Sequence, residues 1–307
     1  MPDHGELAFI DWLRRRTPAQ ERVLLGPGDD AAALAWGNGP SCLITTDMLL
    51  EGSCFRLAEA GPRQVGRKAM AVNLSDIAAM AGRPVAAVVS VGLPRRGGQA
   101  LAEELYAGLR ELADAFATAI VGGDTNSWDG PLVISVTVLG EATARGPVRR
   151  AGAQPGDWLL VTGPLGGSIR GKHLTFTPRV HEALRLHELA DLHAMIDISD
   201  GLSLDVWRIC QESGCGAVLR AEAIPISDDA HQLNDHLSPL QHALSDGEDF
   251  ELVLALSATD AERLLRDQPV LGITLTAIGE CVETGFWLEE QGQRHVLQPQ
   301  GYEHPLA

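Results

Sequence analysis

The chain has 307 residues, 45% of them hydrophobic, and a formal net charge of −17 at pH 7. Its length accommodates two domains with apolar cores of their own. A balance this negative excludes nucleic acid and anionic membranes as expected partners, and a protein of this charge that handles anionic substrates needs cations in between.

In chain order, Leu7, Ile10 and Leu13 recur at helical spacing over residues 7–16, with basic residues at the end. Residues 42–46 read as a short buried strand. Residues 64–81 are helical and apolar nearly all round, which predicts a buried helix. Residues 85–93 are rich in β-branched side chains and read as a strand closed by Pro94. An amphipathic helix follows over 99–117, then strands over 119–121 and 132–139. This alternation predicts an α/β or α+β fold. Gly, Pro and Arg cluster at residues 144–155, which places a boundary there and divides the chain into domains 1–148 and 149–307. The second half shows strands at 158–162, 250–256 and 273–278, helices at 179–192 and 202–212, and a Gly-rich stretch at 163–171. The five cysteines form no C-x-x-C pair, so zinc and a disulfide framework are not expected, and a reducing cytoplasm is. The first eleven residues hold acids and no apolar core, so no signal peptide is expected.

The aspartates carry the chemistry. They fall in five segments beside Gly, Ser, Thr or Asn: G-P-G-D-D (26–30), I-T-T-D-M (44–48), V-N-L-S-D (72–76), V-G-G-D-T (121–125) and I-D-I-S-D-G-L (196–202). Most follow apolar residues, so the carboxylates sit at the ends of buried elements. Gathered carboxylates repel unless a cation lies between them, and hard oxygen ligands suit Mg²⁺, which usually arrives with phosphate. Phosphoryl transfer is the first reading. Asp29 and Asp30 follow Pro27-Gly28, either an ordinary turn or a ligand site. Asp47 with Thr45 and Thr46 can share a hydrated metal. Asp76 lies on the apolar helix, three residues from Asn73 on the same face. Its partner is a metal, or else Lys68 or Arg67 in a buried ion pair. Gly122 and Gly123 end a strand, and either form an ordinary turn or let a phosphate approach the backbone, with Asp124 to hold its metal. Alternation puts Asp197 and Ser199 on one face, and Asp200 is either a helix N-cap or a ligand. There is no G-x-G-x-x-G and no G-x-x-x-x-G-K-[ST], so any nucleotide site is of another design. Glu248 or Asp249, in S-D-G-E-D-F-E-L, either orients a substrate or belongs to a plain acidic turn.

Taken in order, these segments resemble the thiamine-monophosphate kinases, of the PurM-like superfamily of aminoimidazole ribonucleotide synthetase. The resemblance also includes T-T-D-M-L-L-E-G, the long helix G-R-K-A-M-A-V-N-L-S-D-I-A-A-M, P-G-D-W-L-L-V-T-G and the final G-Y-E-H. It implies ATP-dependent phosphorylation of thiamine monophosphate to thiamine diphosphate. It also implies a two-domain fold whose first domains form a shared β-barrel in a homodimer. By motif it assigns several Mg²⁺ ions to Asp30, Thr45, Thr46, Asp47, Asp76, Asp124, Asp197 and Asp200. It assigns ATP to Gly123, Asp124, Arg150 and Ser199, with Tyr106 a further candidate, and the thiamine end of the acceptor to Glu248 and Tyr302. Asp47, Asp124 and Arg150 are the expected catalytic groups. The chain departs from the family at Cys54, where His is usual, at Asp246, where Gly is usual, and in a short stretch between Gly171 and Ile196.

An acceptor that is itself a phosphate monoester has a second pKa near 6. Its oxygen is anionic at neutral pH, and no general base is needed. Positioning and charge stabilisation then account for the catalysis. Two other readings are open. Another ATP-using enzyme of the superfamily would carry a reactive Cys near its amino terminus or a Cys at its end, whereas the first Cys here is Cys42 and the chain ends Pro305-Leu306-Ala307. A non-catalytic nucleotide or thiamine-phosphate sensor would have no reason to retain every metal-ligand segment.

Overall fold

A computed structural model describes residues 6–16 and 20–304. Much of the stretch that argues against a signal peptide, and the last three residues, lie outside the described residues. The first half runs α1 (Glu6–Arg16), β1 (Val23–Leu25), β2 (Ala32–Leu34), β3 (Cys42–Leu50), α2 (Leu57–Ala60), α3 (Pro62–Ala79), β4 (Arg83–Pro94), α4 (Gly98–Ala115), β5 (Ala119–Trp128) and β6 (Val133–Glu141). The second runs β7 (Trp158–Val161), α5 (Lys172–Thr175), α6 (Val180–Leu189), β8 (Leu192–Asp197), α7 (Leu202–Ser213), β9 (Gly216–Arg220), α8 (Asp228–Gln232), α9 (Pro239–Ser245), β10 (Leu252–Leu256), α10 (Ala258–Asp267), β11 (Thr276–Val282), β12 (Phe286–Glu290) and β13 (Gln293–Val296).

The first sheet has the order β1-β2-β3-β6-β4-β5 and is open, with β1 and β5 at its edges. Only β4 and β5 pair in parallel; the other pairs are antiparallel. Strand β6 alternates cleanly. Ile134, Val136 and Val138 are fully buried, and Ser135 and Thr137 between them turn to the other face. The second sheet has the order β13-β12-β9-β11-β7-β10-β8. Its centre is apolar on both faces because each face is covered: Leu252, Leu254 and Leu256 enter the core shared with the first half, and Val253 and Ala255 enter a second core under α7.

Helix α3 joins the halves. It packs on β3 and β6 of the first sheet and on α5, α6 and β8 of the second half. Covered on nearly all sides, it buries thirteen residues, as its all-round apolar sequence predicts. Two strands differ from expectation. Strand β5 continues through Gly122-Gly123-Asp124 to Trp128, so the glycines lie inside it rather than at its end. Strand β3 continues to Leu50, which puts Asp47 inside a strand as well. Both run on because pairing with β4 and β6 continues past the polar residues.

Helices α3 and α4 cross with their backbones nearly touching, through Gly66 and Gly108. A Cβ on Gly66 would lie 2.1 Å from the Leu105 carbonyl oxygen, and one on Gly108 would lie 1.9 Å from that of Arg63. Backbone cannot yield as a side chain does. Gly66→Ala and Gly108→Ala are each expected to cost about 1–3 kcal/mol in urea unfolding; wild-type midpoints in both would refute this packing.

Candidate active site

The two halves and α3 enclose a cleft of about 920 Å³. The acids on its floor come from four elements. In β3, pairing sets Thr45 and Asp47 opposite the buried Val138 and Val136, so both face α3. There Thr45 Oγ1 donates to Asp76 Oδ2, and the Asp47 backbone N–H donates to Asn73 Oδ1 at 3.1 Å. Asn73 and Asp76, on one face of the helix, thus bind the strand. Asp197 ends β8 and accepts a hydrogen bond from Ser75 of α3. Asp30 follows the turn at Pro27-Gly28. The Arg150 guanidinium grips it with Nε 3.2 Å from Oδ2 and Nη2 2.8 Å from Oδ1.

One carboxylate oxygen each from Asp30, Asp76 and Asp197 lie within 4.8 Å of one another. At an effective dielectric of about 20, two full charges at that separation repel by roughly 3 kcal/mol. Arg150 alone cannot offset three such pairs. The carboxyl groups respond accordingly. Burial, then the charges of Asp47, Asp197 and Asp30, hold Asp76 well above the usual carboxylate range. Burial, then Asp30, do the same to Asp197. Asp47 is pushed up to about 6 by burial and by Asp200, against a hydrogen bond with Asp76. Asp29, whose oxygens accept the Arg150 backbone N–H at 3.2 Å, rises to about 7 through burial and the neighbouring Asp30. A set of oxygens this crowded suits a hard divalent cation, which would replace the protons.

Asp200 does not cap α7. Gly201 holds that position, and the Asp200 carboxylate instead meets Arg208 at 2.5 Å. Arg208 also binds Asp205, whose other oxygen accepts the Asp200 and Gly201 backbone N–H groups at 3.1 Å each. Sequence reasoning does not single out Asp205 or Arg208. The available signal for Asp205 is an acid in the first turn of a helix after glycine.

Cys54, Glu248 and Tyr302 also line the cleft, and the first two meet Lys68 of α3. The Tyr302 N–H donates to the Asp200 carbonyl at 2.8 Å, which docks the G-Y-E-H segment with the phenol 3.5 Å from Ser53 Oγ. Cys54 lines the cleft but also packs on the first core, and its sulfur accepts the Leu50 N–H at 3.5 Å. Lys68 pairs with Glu248 rather than Asp76, and Arg67 donates to the Leu174 carbonyl. Asp249 is fully buried and accepts the Gly166 N–H at 2.7 Å, so it shapes the Gly-rich loop rather than meeting a substrate. Asp246 braces the same loop, since it accepts the Gly167 N–H at 2.8 Å and lies 3.0 Å from His242 Nδ1. Ser199 lines the cleft beside Asp200.

Three expected residues lie elsewhere. Gly123, Asp124 and Tyr106 line a separate hollow between α4 and strands β4 and β5. Asp124 stands opposite Ser90, on the exposed face of the sheet, with Asn126 Nδ2 3.5 Å away. Thr46 turns to that face too, with its hydroxyl 2.9 Å from that of Thr137. Of the residues expected to bind metal, Thr45 and Asp47 thus lie on the α3 side of the first sheet, and Thr46 and Asp124 on its other face.

Residues 28–142 match the AIR synthase related protein N-terminal domain, and residues 154–286 the corresponding C-terminal domain. The chain is 41% identical to the thiamine-monophosphate kinase of Rhodopirellula baltica, over 97% of each sequence. It belongs to the thiamine-monophosphate kinase family. Among solved structures, AaThiL complexed with AMPPCP and TMP superposes with a TM-score of 0.84 at 28% identity, covering 98% of this chain and 97% of that one. The thiamine-monophosphate kinase of Stenotrophomonas maltophilia K279a gives a TM-score of 0.74 at 33% identity, over 94% and 98%. The two-domain PurM-like architecture of mixed sheets is that of this family. Among the described residues, no helix is long and apolar enough to cross a membrane.

Because Asp47 titrates near 6 in the fold, above an unfolded carboxyl near 4, its contribution to stability is present below pH 4 and lost as pH rises through about 6. Asp76 and Asp197, also raised, act with the same sign. A cation needs the ionised groups. Saturating Mg²⁺ should therefore raise the melting temperature by about 5 °C or more at pH 8 and far less at pH 5. Equal shifts at both pH values would contradict a metal site on these acids.

Proposed function

We propose that this protein is an ATP-dependent thiamine-monophosphate kinase, which transfers the γ-phosphoryl group of ATP in line to the phosphate of thiamine monophosphate, releasing ADP and thiamine diphosphate. The observation that carries the reading is the convergence of Asp30, Asp76, Asp197 and Arg150 at a cleft that Glu248 and Tyr302 also line. The similarity to AaThiL, solved with AMPPCP and TMP, supports it.

In this reading the acceptor oxygen arrives ionised, so no side chain has to remove a proton. Arg150, Gly123, Asp124, Ser199 and Tyr106 serve ATP, while Cys54, Glu248 and Tyr302 serve the acceptor. Asp30, Thr45, Thr46, Asp47, Asp76, Asp124, Asp197 and Asp200 hold Mg²⁺, which when bound supplies the counter-charge between two polyanions. The chain's own part is to fix these carboxylates and exclude bulk water from the floor, so that neither phosphate has to order them. Residues 1–148 form the ATP- and metal-binding half, and residues 149–307 the other. Thr46 of β3 and Asp124 of the edge strand β5 lie on one open sheet face, and Val121 of that edge strand is 64% exposed. A second copy covering that face, with the two first sheets closing into a barrel, gives both residues a defined environment. The enzyme works in the cytoplasm.

Incubation with ATP, Mg²⁺ and thiamine monophosphate should yield thiamine diphosphate by mass; ATP binding without product would contradict the reading. Asp47→Asn and Asp124→Asn should each lower turnover on the order of a hundredfold or more with the fold intact, and near-normal rates at saturating Mg²⁺ would remove the residue from the site. Sedimentation should find two chains per particle, and Val121→Asp should shift the protein to monomers; an active wild-type monomer would refute the shared barrel.

A further inference from the structure

Lys68 is wholly buried, which is rare for lysine. It lies on α3 at the start of a stripe, Lys68, Val72 and Asp76, that faces the cleft along its length. Eight residues of helix separate Lys68 from Asp76 by about 12 Å. One helix face thus carries a carboxylate of the acid cluster at one end and an ammonium at the other.

Two donors of that ammonium have acceptors, the Cys54 carbonyl and Glu248, while His173 Nδ1, whose N–H is directed to Glu248, stands beside it without accepting. Lys68 Nζ lies 2.7 Å from the Cys54 carbonyl oxygen, 2.5 Å from Glu248 Oε1 and 3.1 Å from His173 Nδ1. His173 Nδ1, from α5, is also 3.2 Å from Glu248 Oε2. Both oxygens of Glu248 are therefore held from behind, while a third of its side chain remains open to the cleft. The backbone of Glu248 has φ +66°, a conformation that a residue with a side chain adopts rarely and only when its surroundings hold it there. The Glu248 N–H donates to the Ser199 carbonyl at 2.7 Å, which completes the restraint. Burial would raise the Glu248 carboxyl, but the hydrogen bond from His173 and the charge of Lys68 outweigh it and hold the group below the usual carboxylate range.

Stability does not account for this arrangement. A buried ion pair is generally no better for stability than apolar side chains of the same volume. Nor does the metal end use Lys68, whose ammonium donates to Glu248 and the Cys54 carbonyl. The part of Glu248 that is left free lines the cleft.

We propose that Lys68 and His173 are positioning residues: together they fix the Glu248 carboxylate in one orientation, for recognition of the cationic, amino-bearing rings of the acceptor. The identity of the acceptor rests on the functional reading above; the clamp itself rests on the geometry around Glu248. A fixed carboxylate meets a cationic ring without the cost of ordering a flexible side chain on binding.

The test is a double-mutant cycle on Lys68→Met and Glu248→Gln, with His173→Ala and His173→Gln as a second series. Acceptor KM, ATP KM, kcat and melting temperature are measured for each. Lys68→Met should raise the acceptor KM about tenfold, equivalent to roughly 1.4 kcal/mol, and leave the ATP KM within about twofold. In the Glu248→Gln background the same change should add little, because the group it positions is gone. His173→Ala should act in the same direction, and His173→Gln, which keeps a donor toward Glu248, should recover most of the loss. If Lys68→Met does not fold, the cycle of His173→Ala with Glu248→Gln decides. Effects that add, or that move acceptor and ATP KM together with the melting temperature, overturn the clamp and leave an ordinary structural ion pair. A wild-type enzyme that forms no thiamine diphosphate overturns the functional reading, and this proposal with it.

Discussion

Carboxylates cannot remain ionised side by side in a partly closed cleft unless something positive stands among them. Asp30, Asp76 and Asp197 meet under that constraint, with Asp47 adjoining. Repulsion of roughly 3 kcal/mol for each fully charged pair is large against the 5–15 kcal/mol by which a protein is typically folded. Apolar residues would hold the two halves together at lower cost. Acids crowded at that cost suit a ligand that offsets their charge, and a divalent cation between phosphates matches in charge and oxygen preference.

Helix α3 is the member on which this crowding is built. It contacts both sheets, so residues at its successive turns can meet groups from either half. Ser75 reaches Asp197 of the second half, and Asp76 and Asn73 reach Thr45 and Asp47 of the first. Two turns earlier, Lys68 reaches Glu248. The same burial that removes α3 from solvent makes each of its polar groups require a specific partner. The distance between Asp76 and Lys68 is therefore set by the rise of one helix, not by mobile loops.

Much of this is legible in the sequence, and the remainder is hidden for identifiable reasons. The lack of a polar face on α3 announces its burial, and hence that Asp76 needs a partner. The motifs G-P-G-D-D, T-T-D-M and D-I-S-D-G-L mark three elements that do converge. The partner of Lys68 lies 180 positions away, and no local periodicity can disclose it. Strand β5 reads as shorter than it is because Gly-Gly-Asp looks like punctuation, while pairing with β4 carries the strand to Trp128. Helix α9 is absent from the sequence reading although Ser238 and Gln241 form a capping box with Pro239 in the first turn, a cue present in the residues themselves. The separation of Thr46 from Thr45 follows from strand alternation, which the sequence does contain. That Asp124 shares the outer face with Thr46 needs the sheet order, which it does not.

The central claim is that the acid cluster exists to hold divalent cations against phosphate. The most direct measurement is anomalous diffraction from crystals grown with Mn²⁺ and a non-hydrolysable ATP analogue. The account predicts a Mn²⁺ peak at about 2–2.3 Å from oxygens of Asp30, Asp76 and Asp197, on the phosphate side of the cleft. Analogue bound in the cleft with those three carboxylates still holding only Thr45, Ser75 and Arg150, and no metal peak among them at millimolar Mn²⁺, would contradict it.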